Sequence, residues 1–298
     1  MSEAVELKLS IENAKILQAQ EEDGLLKKKT NVQMPESSAP RYGHSAATGL
    51  PTGDLTLDAL FNGQLRILQG RKGYRFSLDA VLLAAFASPR GAEKVVDLGA
   101  GSGVVSLILA KQHPSLAVTG LEIQETMVTW AQKSARLNQL ESRVWILQCD
   151  IRRIAKVLPP GGADVVVCNP PYRKPTSGRI SPNKEKRIAR HEIAGRLIDF
   201  VRAGAYLLPI NGRMAVIYPA LRTVDLLVTM REANIEPKRL RMVHSFAGAE
   251  ASLVLVEGVK GGRNGVEVLA PLVIYEKGKQ YGAEVASLLA GSLPAGKS

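Results

Sequence analysis

Cysteines, aromatic residues and long apolar runs are all scarce in this chain of 298 residues. Its two cysteines, Cys149 and Cys168, cannot form a framework of several disulfides or a zinc site with several cysteine ligands. The longest apolar run, from Ala80 to Ala87, has eight residues, whereas a membrane span needs about 20. The N-terminal stretch carries acidic residues and lacks the apolar block of a secretory signal peptide. We therefore expect a protein of the reducing cytoplasm.

The remaining composition describes a globular protein with a strong positive charge. Hydrophobic residues make up 45% of the chain and charged residues 22%, which is enough apolar material for a sizeable core. The net charge of +11 favours a polyanionic partner such as nucleic acid, although a charge that serves only solubility is the alternative. Residues 1–52 hold six Lys or Arg against seven Asp or Glu and are rich in Pro, Ser, Gly and Ala toward their end. We predict a flexible extension over residues 1–52 and one domain over residues 53–298, which carries the positive excess.

From Leu55 onward, short β-branched runs alternate with segments of helical periodicity. This alternation predicts an α/β fold with a doubly wound, seven-stranded and mainly parallel sheet. The predicted strands are Lys94–Leu98, Ala117–Glu122, Val144–Leu147, Asp164–Cys168, Arg213–Tyr218, Arg239–His244 and Ser252–Glu257. The Asn264-Gly265 pair that follows the last of them predicts an antiparallel C-terminal hairpin.

A glycine-rich turn follows the first predicted strand. The sequence Asp97-Leu98-Gly99-Ala100-Gly101-Ser102-Gly103 places three glycines at alternate positions between a strand and a helix. Such a turn lets a ligand approach the backbone closely. Its spacing differs from the G-x-G-x-x-G dinucleotide fingerprint, and it lacks the Lys-Ser/Thr pair of a phosphate-binding P-loop.

Acidic residues close the next two predicted strands, beside this turn. Ligands of doubly wound sheets bind beyond the carboxyl ends of the strands. Glu122 at the end of the second strand can accept hydrogen bonds from both hydroxyls of a ribose. Asp150, which follows the third strand, can accept a hydrogen bond from an adenine amino group. Together with Asp97, Gly99, Gly101 and Gly103, these carboxylates resemble the S-adenosyl-L-methionine pocket of class I methyltransferases.

The fourth predicted strand runs directly into Asn169-Pro170-Pro171-Tyr172. This tetrapeptide resembles the catalytic motif of enzymes that methylate a planar amine or amide nitrogen, notably N6 of adenine. That amine is a poor nucleophile because its lone pair is conjugated into the ring. The Asn169 side-chain oxygen and the Pro170 carbonyl can accept its two hydrogens and restore lone-pair character. Pro170 and Pro171 fix the backbone in advance, and Tyr172 offers a ring on which the base can stack.

We expect neither a metal ion nor a strongly basic general base in this chemistry. The four histidines, His44, His113, His191 and His244, are scattered without the spacing of metal ligands. His191 either lines the site or has an ordinary role in a loop. The proton of the amine can leave to water after the methyl group has been transferred, and positioning should supply most of the acceleration.

A basic segment follows the tetrapeptide directly. Residues 173–190 hold seven basic residues and one acidic residue, and their Pro, Gly and Ser content predicts a loop. Contacts from this loop to phosphates would give affinity and a steep salt dependence, while the pocket selects the base. A loop that serves only solubility is the alternative. The candidate RNA-binding residues are Arg173, Lys174, Arg179, Lys184, Lys186, Arg187 and Arg190.

A further segment narrows the resemblance. Residues 73–83 read GYRFSLDAVLL. This segment resembles the bacterial tRNA1(Val) adenine-N6 methyltransferase family. The same resemblance includes Asn169 to Tyr172, Ser181-Pro182-Asn183, Ala189 to Glu192 and Pro271 to Tyr275. The similarity extends from about Asp54 to Tyr275. It implies that Ser77 and Asp79 lie near the methionine end of the cofactor, and that the target is the adenine beside the anticodon of a tRNA.

An unpaired loop base costs little to extrude. The chain has only 14 aromatic residues and shows no separate RNA-binding module, so the basic loop and the flanks of the sheet would have to hold the tRNA.

Other methyltransferases share the tetrapeptide. An enzyme acting on glutamine of release factors would have a helical N-terminal domain and no strongly basic loop. A DNA adenine methyltransferase would require a target-recognition domain, and an rRNA guanine-N2 enzyme would duplicate the domain. A non-catalytic nucleic-acid-binding protein with the same fold would not need Asn169, Tyr172 and the glycines together. The sequence leaves the oligomeric state open, with a monomer as the default expectation.

Overall fold

The computed structural model describes residues 55–71, 77–91, 93–171 and 195–292. Residues 1–52, for which an extension is predicted, therefore lie outside the described residues. The strands are β1 Leu55–Leu60, β2 Leu65–Gly70, β3 Lys94–Leu98, β4 Ala117–Glu122, β5 Val144–Gln148, β6 Val165–Cys168, β7 Arg213–Pro219, β8 Ile235–Phe246, β9 Ala251–Lys260, β10 Glu267–Val268, β11 Leu272–Lys277 and β12 Gln280–Tyr281. The α-helices are α1 Leu78–Ala87, α2 Val104–Gln112, α3 Glu125–Leu137, α4 Leu197–Leu207, α5 Thr223–Glu232 and α6 Ala283–Leu289.

The central sheet confirms the predicted α/β fold. Its order is β12-β11-β8-β9-β7-β6-β3-β4-β5, and β10 adds to β8. The five strands β7, β6, β3, β4 and β5 are mutually parallel. All seven predicted strands are present as β3 to β9, and the short strands β10, β11 and β12 enlarge the described sheet to ten.

The C-terminal part of the sheet contains the predicted antiparallel pairing but not at the predicted turn. β9 runs antiparallel to both β7 and β8, and β11 forms a hairpin with β12. The prediction of a hairpin at Asn264-Gly265 was wrong, because β10 pairs in parallel with β8. Both edges of β9 are already occupied by β7 and β8, so the chain that leaves β9 cannot fold back on it.

The helices form two groups that cover both faces of the parallel strands. α1 packs against α2, and α4 packs against α5; both groups contact β6. The four residues of β6, Val165 to Cys168, are fully buried, as expected for a strand covered on both faces. Helix α1 is buried along almost its whole length, which explains why it reads as the longest apolar run of the sequence. A hairpin of β1 and β2, which the sequence analysis did not predict, is anchored on α3, where the Leu68 N–H donates to Ser134 Oγ at 2.9 Å.

A buried carboxylate ties β3 to α2 on either side of the glycine turn. Asp97 is only 2% exposed, and its Oδ2 accepts hydrogen bonds from Ser106 Oγ at 2.7 Å and from the Ser106 N–H at 3.2 Å. Burial raises the pKa of Asp97 to about 6; the hydrogen bonds from Ser106 oppose this rise, and the nearby charge of Glu122 adds to it. Strand and helix are thereby held together where the chain reverses direction.

The raised pKa of Asp97 predicts a pH-dependent contribution to stability. Between the ordinary pKa of 3.8 and the folded value of about 6, the folded protein binds more protons at this group than the unfolded chain. The stabilisation is therefore present at low pH and is lost as the pH rises through about 6. We expect the unfolding free energy of the parent, relative to Asp97→Asn, to fall by up to about 3 kcal/mol between pH 4 and pH 7.

Urea unfolding at a series of pH values measures this difference. Asp164→Asn is a matched control, because Asp164 is an exposed carboxylate that also accepts a backbone hydrogen bond, from Lys94. A difference between parent and Asp97→Asn that stays constant from pH 4 to pH 7 would contradict the prediction.

Candidate active site

The glycine turn lies at the carboxyl end of β3 and is held by the neighbouring strand. The N–H groups of Gly99 and Ala100 both donate to the carbonyl oxygen of Leu121 in β4, at 2.8 and 2.9 Å. The Gly103 N–H donates back to the Ala100 carbonyl at 2.8 Å, and α2 begins at the next residue. Gly99, Gly101 and Gly103 have φ values of +71°, +57° and +78°, a conformation that side chains with a Cβ disfavour.

The three glycines have different surroundings. A Cβ on Gly99 would lie 2.9 Å from Phe200 Cε1, and a Cβ on Gly103 would lie 2.9 Å from Ala131 Cβ. A side chain at either of these two positions is therefore disfavoured by packing as well as by the backbone conformation. A Cβ on Gly101 would meet no atom within 4 Å. This open space beside a half-buried glycine lets a ligand approach the turn closely.

Glu122 lies beside this open space. The residue ends β4 and is 5% exposed, and its Oε2 accepts from the Gly101 N–H at 2.9 Å. Its Oε1 accepts from the Gln124 N–H at 2.9 Å and from Gln124 Nε2 at 3.4 Å. An ionised carboxylate has about four acceptor sites, so Oε2 retains capacity for a hydroxyl group. One acceptor site is therefore left for a ribose hydroxyl, whereas the prediction assigns both hydroxyls to Glu122.

Asp150 follows β5 and begins a short 3-10 helix, Ile151–Lys156. Its Oδ1 accepts from the Arg152 N–H at 3.0 Å and from Arg152 Nε at 2.8 Å, and its Oδ2 accepts from Arg152 Nη2 at 2.7 Å. These hydrogen bonds lower the pKa of Asp150. Oδ2 has one remaining acceptor site, so an adenine amino group would bind beside the guanidinium of Arg152.

Both cysteines are close to this edge of the sheet but neither is suited to act as a nucleophile. The Cys149 N–H donates to the Glu122 carbonyl at 2.8 Å and so joins β5 to β4. Burial raises the pKa of the Cys149 thiol to about 11 and that of the Cys168 thiol well above its ordinary value. Both thiols are therefore protonated near neutral pH, whereas the reactive form of a cysteine is the thiolate.

Asn169 and Pro170 leave the sheet next to the glycine turn. Strand β6 pairs in parallel with β3, and Cys168 lies opposite Leu98, so Asn169 follows at the level of Gly99. Asn169 and Pro171 are half-buried and Pro170 is buried. Gly99, Glu122, Asp150 and Asn169 therefore lie together at the carboxyl ends of the parallel strands β3, β4, β5 and β6, as predicted.

Several predicted site residues lie outside the described residues. They are Tyr172, the basic residues Arg173, Lys174, Arg179, Lys184, Lys186, Arg187 and Arg190, and also His191. Ser77 and Asp79 are described: Ser77 is exposed at the beginning of α1, and Asp79 is buried in its first turn. The binding roles of all these residues remain predictions.

The structure adds residues that the sequence analysis missed. Phe200 of α4 is buried against Gly99, Ser106 holds Asp97, Gln124 holds Glu122, and Arg152 holds Asp150. The Asp150-Ile-Arg152 sequence was a usable signal, because an Asp that begins a helix often accepts from the N–H two residues on. No local pattern links Phe200 to a glycine 101 residues earlier in the chain.

Residues 55–71, 77–91, 93–171 and 195–292 contain no group of three or more His, Cys, Asp or Glu side chains arranged to hold a metal ion. Within the same ranges, no helix combines the length and the apolar character that crossing a bilayer requires.

Comparison with known proteins identifies the family. The family model for the methyltransferase small domain matches residues 78–191. The tRNA1(Val) (adenine(37)-N6)-methyltransferase of Porphyromonas gingivalis is 30% identical over 189 residues, which cover 61% of this chain and 73% of the relative. The enzyme of the same name from Shewanella sediminis is 30% identical over 167 residues, covering 55% of this chain and 67% of the relative. That from Histophilus somni is 27% identical over 231 residues, covering 76% and 92%.

Among solved structures, a predicted O-methyltransferase from Agrobacterium tumefaciens has the same fold. It superposes with a TM-score of 0.59 at 23% identity, covering 72% of this chain and 96% of that protein. The sheet order, the glycine turn with its acidic neighbours and the sequence relatives agree: this chain belongs to the tRNA1(Val) (adenine(37)-N6)-methyltransferase family.

Proposed function

We propose that the protein transfers a methyl group from S-adenosyl-L-methionine to the exocyclic N6 amine of an adenine in tRNA. The adenine beside the anticodon of tRNA1(Val) is the proposed target, as the names of the relatives indicate. The observation that carries the proposal is the position of Asn169-Pro170-Pro171 at the carboxyl end of β6, at the level of the glycine turn. An adenine held there would lie beside a cofactor held at Glu122.

The described residues suit the cofactor. Glu122 would accept from one ribose hydroxyl, Gly101 leaves space for close approach of the backbone, and Asp150 would accept from the adenine amino group. When bound, S-adenosyl-L-methionine supplies an electrophilic methyl carbon on a sulfonium. The buried carboxylate of Glu122 adds negative charge on the side of the site that would receive this cation.

Asn169 and Pro170 would activate the acceptor nitrogen. The Asn169 side-chain oxygen and the Pro170 carbonyl accept the two amine hydrogens, so the nitrogen lone pair turns toward the methyl carbon. The new N–C bond forms as the C–S bond breaks, and the electron pair of that bond stays on sulfur. The nitrogen then releases one proton to water. Because no side chain has to remove this proton, positioning carries most of the rate enhancement.

The proposal extends to the surroundings of the site. We infer that residues 53–298 form the methyltransferase domain, with residues 1–52 as an extension. The basic segment of residues 173–190, with its excess of six positive charges, would hold tRNA phosphates beside the pocket. A location in the cytoplasm, where tRNA is modified, agrees with two buried cysteines that form no disulfide.

The central test is product analysis with Asn169→Ala. The parent protein, given labelled S-adenosyl-L-methionine together with total tRNA, duplex DNA and release factor, should place the label in N6-methyladenosine of tRNA. Asn169→Ala should lower kcat at least about 100-fold, because one of the two acceptors on the amine is lost. Its affinity for S-adenosyl-L-homocysteine should stay near that of the parent.

Asn264→Ala is the matched control, because Asn264 is an exposed asparagine in the turn after β9. It should retain full activity. Label in release factor or in DNA, or equal activity of Asn169→Ala and the parent, would refute the proposed function.

Glu122→Gln tests the cofactor site independently of RNA. The amide keeps one acceptor oxygen but can place its NH₂ group against the Gly101 N–H, where Glu122 now accepts. Loss of a hydrogen bond to a charged group should weaken binding of S-adenosyl-L-homocysteine by about tenfold or more in calorimetry. Glu125→Gln, at an exposed glutamate in the first turn of α3, is the control. Equal dissociation constants for Glu122→Gln and the parent would remove Glu122 from the site.

Replacing Arg179, Lys184, Lys186 and Arg187 with Gln tests the role of the basic segment. Binding of tRNA should weaken, and the slope of log K against log salt concentration should decrease by about 3, since each phosphate contact contributes about 0.7 to 0.9. The matched control replaces four exposed basic residues near the amino ends of the parallel strands, on the side away from the site: Arg90, Lys94, Lys111 and Arg263. An unchanged slope in the first variant would show that the segment does not contact phosphate.

A further inference from the structure

Three aromatic rings form a stack at the end of β8 and β11. The ring centroids of Phe246 and Tyr275 are 5.5 Å apart with an interplanar angle of 35°, and those of Tyr275 and Tyr281 are 5.2 Å apart at 22°. Both separations fall in the range of favourable aromatic pairs. We call these three residues the aromatic stack. In a chain with 14 aromatic residues, three in one cluster are a notable concentration.

The aromatic stack lies on the same side of the sheet as the candidate active site, toward the carboxyl ends of the parallel strands. β9 is antiparallel to β7, and β8 is antiparallel to β9, so β8 runs in the direction of β7 and β6. β11 is parallel to β8, and Tyr275 lies opposite Phe246. β8 therefore ends on the side of the sheet where Asn169 follows β6, but it extends further. The register across β7 and β9 places Leu240 level with Cys168, so Phe246 lies about five residues, or about 17 Å, beyond the level of Asn169 along the strand direction. Three strand spacings, about 14 Å, separate β8 from β6 sideways, which gives a distance of roughly 22 Å between Phe246 and Asn169.

The stack presents one open ring on a firm support. Phe246 is 39% exposed, whereas Tyr275 and Tyr281 are partly buried and pack against the hydrophobic core. The turn after Phe246 is closed by hydrogen bonds to and from Ala249: its N–H donates to the Phe246 carbonyl at 3.1 Å, and its carbonyl accepts from His244 Nδ1 at 2.7 Å. A ring held in this way loses little conformational freedom when a ligand stacks on it.

The charges beside the stack nearly cancel. Lys277 at the end of β11 and Lys279 in the following turn are exposed, and so are Glu276 in β11 and Glu250 between β8 and β9. A surface that held phosphates would require an excess of cations. Stacking on a flat, uncharged partner is the interaction that these residues support.

We propose that Phe246, supported by Tyr275 and Tyr281, binds an unpaired base of the RNA substrate other than the base that is methylated. The proposal rests on the proposed function, because the RNA is the substrate of that site. Proteins recognise single-stranded RNA by stacking its bases on aromatic rings. A loop that places its target adenine at Asn169 has neighbouring unpaired nucleotides that can extend along the strand ends to Phe246.

The test combines Phe246→Ala with the rescue variant Phe246→Trp and the control Leu137→Ala. Leu137 is 47% exposed at the end of α3, at the opposite edge of the sheet. The measurements are binding of the tRNA1(Val) anticodon stem-loop, steady-state methylation of tRNA, calorimetric binding of S-adenosyl-L-homocysteine, and Tm. Loss of stacking should raise the Kd and the KM for RNA at least about fivefold in Phe246→Ala. kcat, cofactor binding and the slope of binding against salt should stay as in the parent.

Phe246→Trp should restore affinity to that of the parent or better, and Leu137→Ala should behave as the parent. Equal Kd and KM for RNA in Phe246→Ala and the parent would overturn the stacking role even if the parent methylates tRNA normally. A decrease in Tm alone would assign the ring to sheet stability and also overturn it. A raised KM for release factor with unchanged RNA binding would overturn it by assigning the ring to a protein partner. Failure of the parent to methylate tRNA would refute the proposed function, whereas the Kd comparison would still decide whether Phe246 binds RNA.

Discussion

The parallel register of β3 with β4 and β6 is the constraint on which the site depends. Leu98 lies opposite both Leu121 and Cys168, so the next residue of each strand emerges at one level. The Leu121 carbonyl then accepts the first two N–H groups of the glycine turn, and Glu122 accepts that of Gly101. A slip of one residue would turn Glu122 to the other face of the sheet and would leave the turn without its partners.

Charge is divided between the two halves of the proposed reaction. Glu122, Asp97 and Asp150 are all carboxylates at or next to strand ends, although their environments differ: burial raises the pKa of Asp97, and Arg152 lowers that of Asp150. Such a group of acceptors suits a cationic sulfonium cofactor. The positive excess of the basic segment that follows Asn169-Pro170-Pro171-Tyr172 suits RNA phosphates. Cofactor and substrate would thus be drawn to different surfaces that meet at Asn169.

The antiparallel strand β9 has a consequence for the substrate side. Because β9 runs antiparallel to β7 and β8, β8 and β11 run in the same direction as β6 and continue past its carboxyl end. Phe246 and Tyr275 therefore lie beyond the level of Asn169, on the side of the sheet where the proposed RNA substrate would extend. Short loops could not have joined these strands if all of them were parallel neighbours, because parallel neighbours require long crossover connections.

Much of this site could be predicted from local sequence because the relevant signals are local. The β-branched runs predicted all seven strands from β3 to β9, and Gly99, Glu122, Asp150 and Asn169 each lie at the end of a strand or within two residues after it. Since parallel strands end at one edge, their meeting point followed from the sequence order alone. The β1–β2 hairpin was missed, and the pair Asn264-Gly265 was misread because a turn motif carries no information on which strand edge is free.

Only the tertiary structure decided which distant residues complete the site. Phe200 reaches Gly99 from a helix about a hundred residues away, and Phe246, Tyr275 and Tyr281 meet because three strands are neighbours in the sheet. The sequence by itself determined the type of chemistry, since the hydrogen-bonding groups at each strand end are a property of the residues there. Contacts between strands and helices depend on packing across the whole core, and no local pattern encodes them.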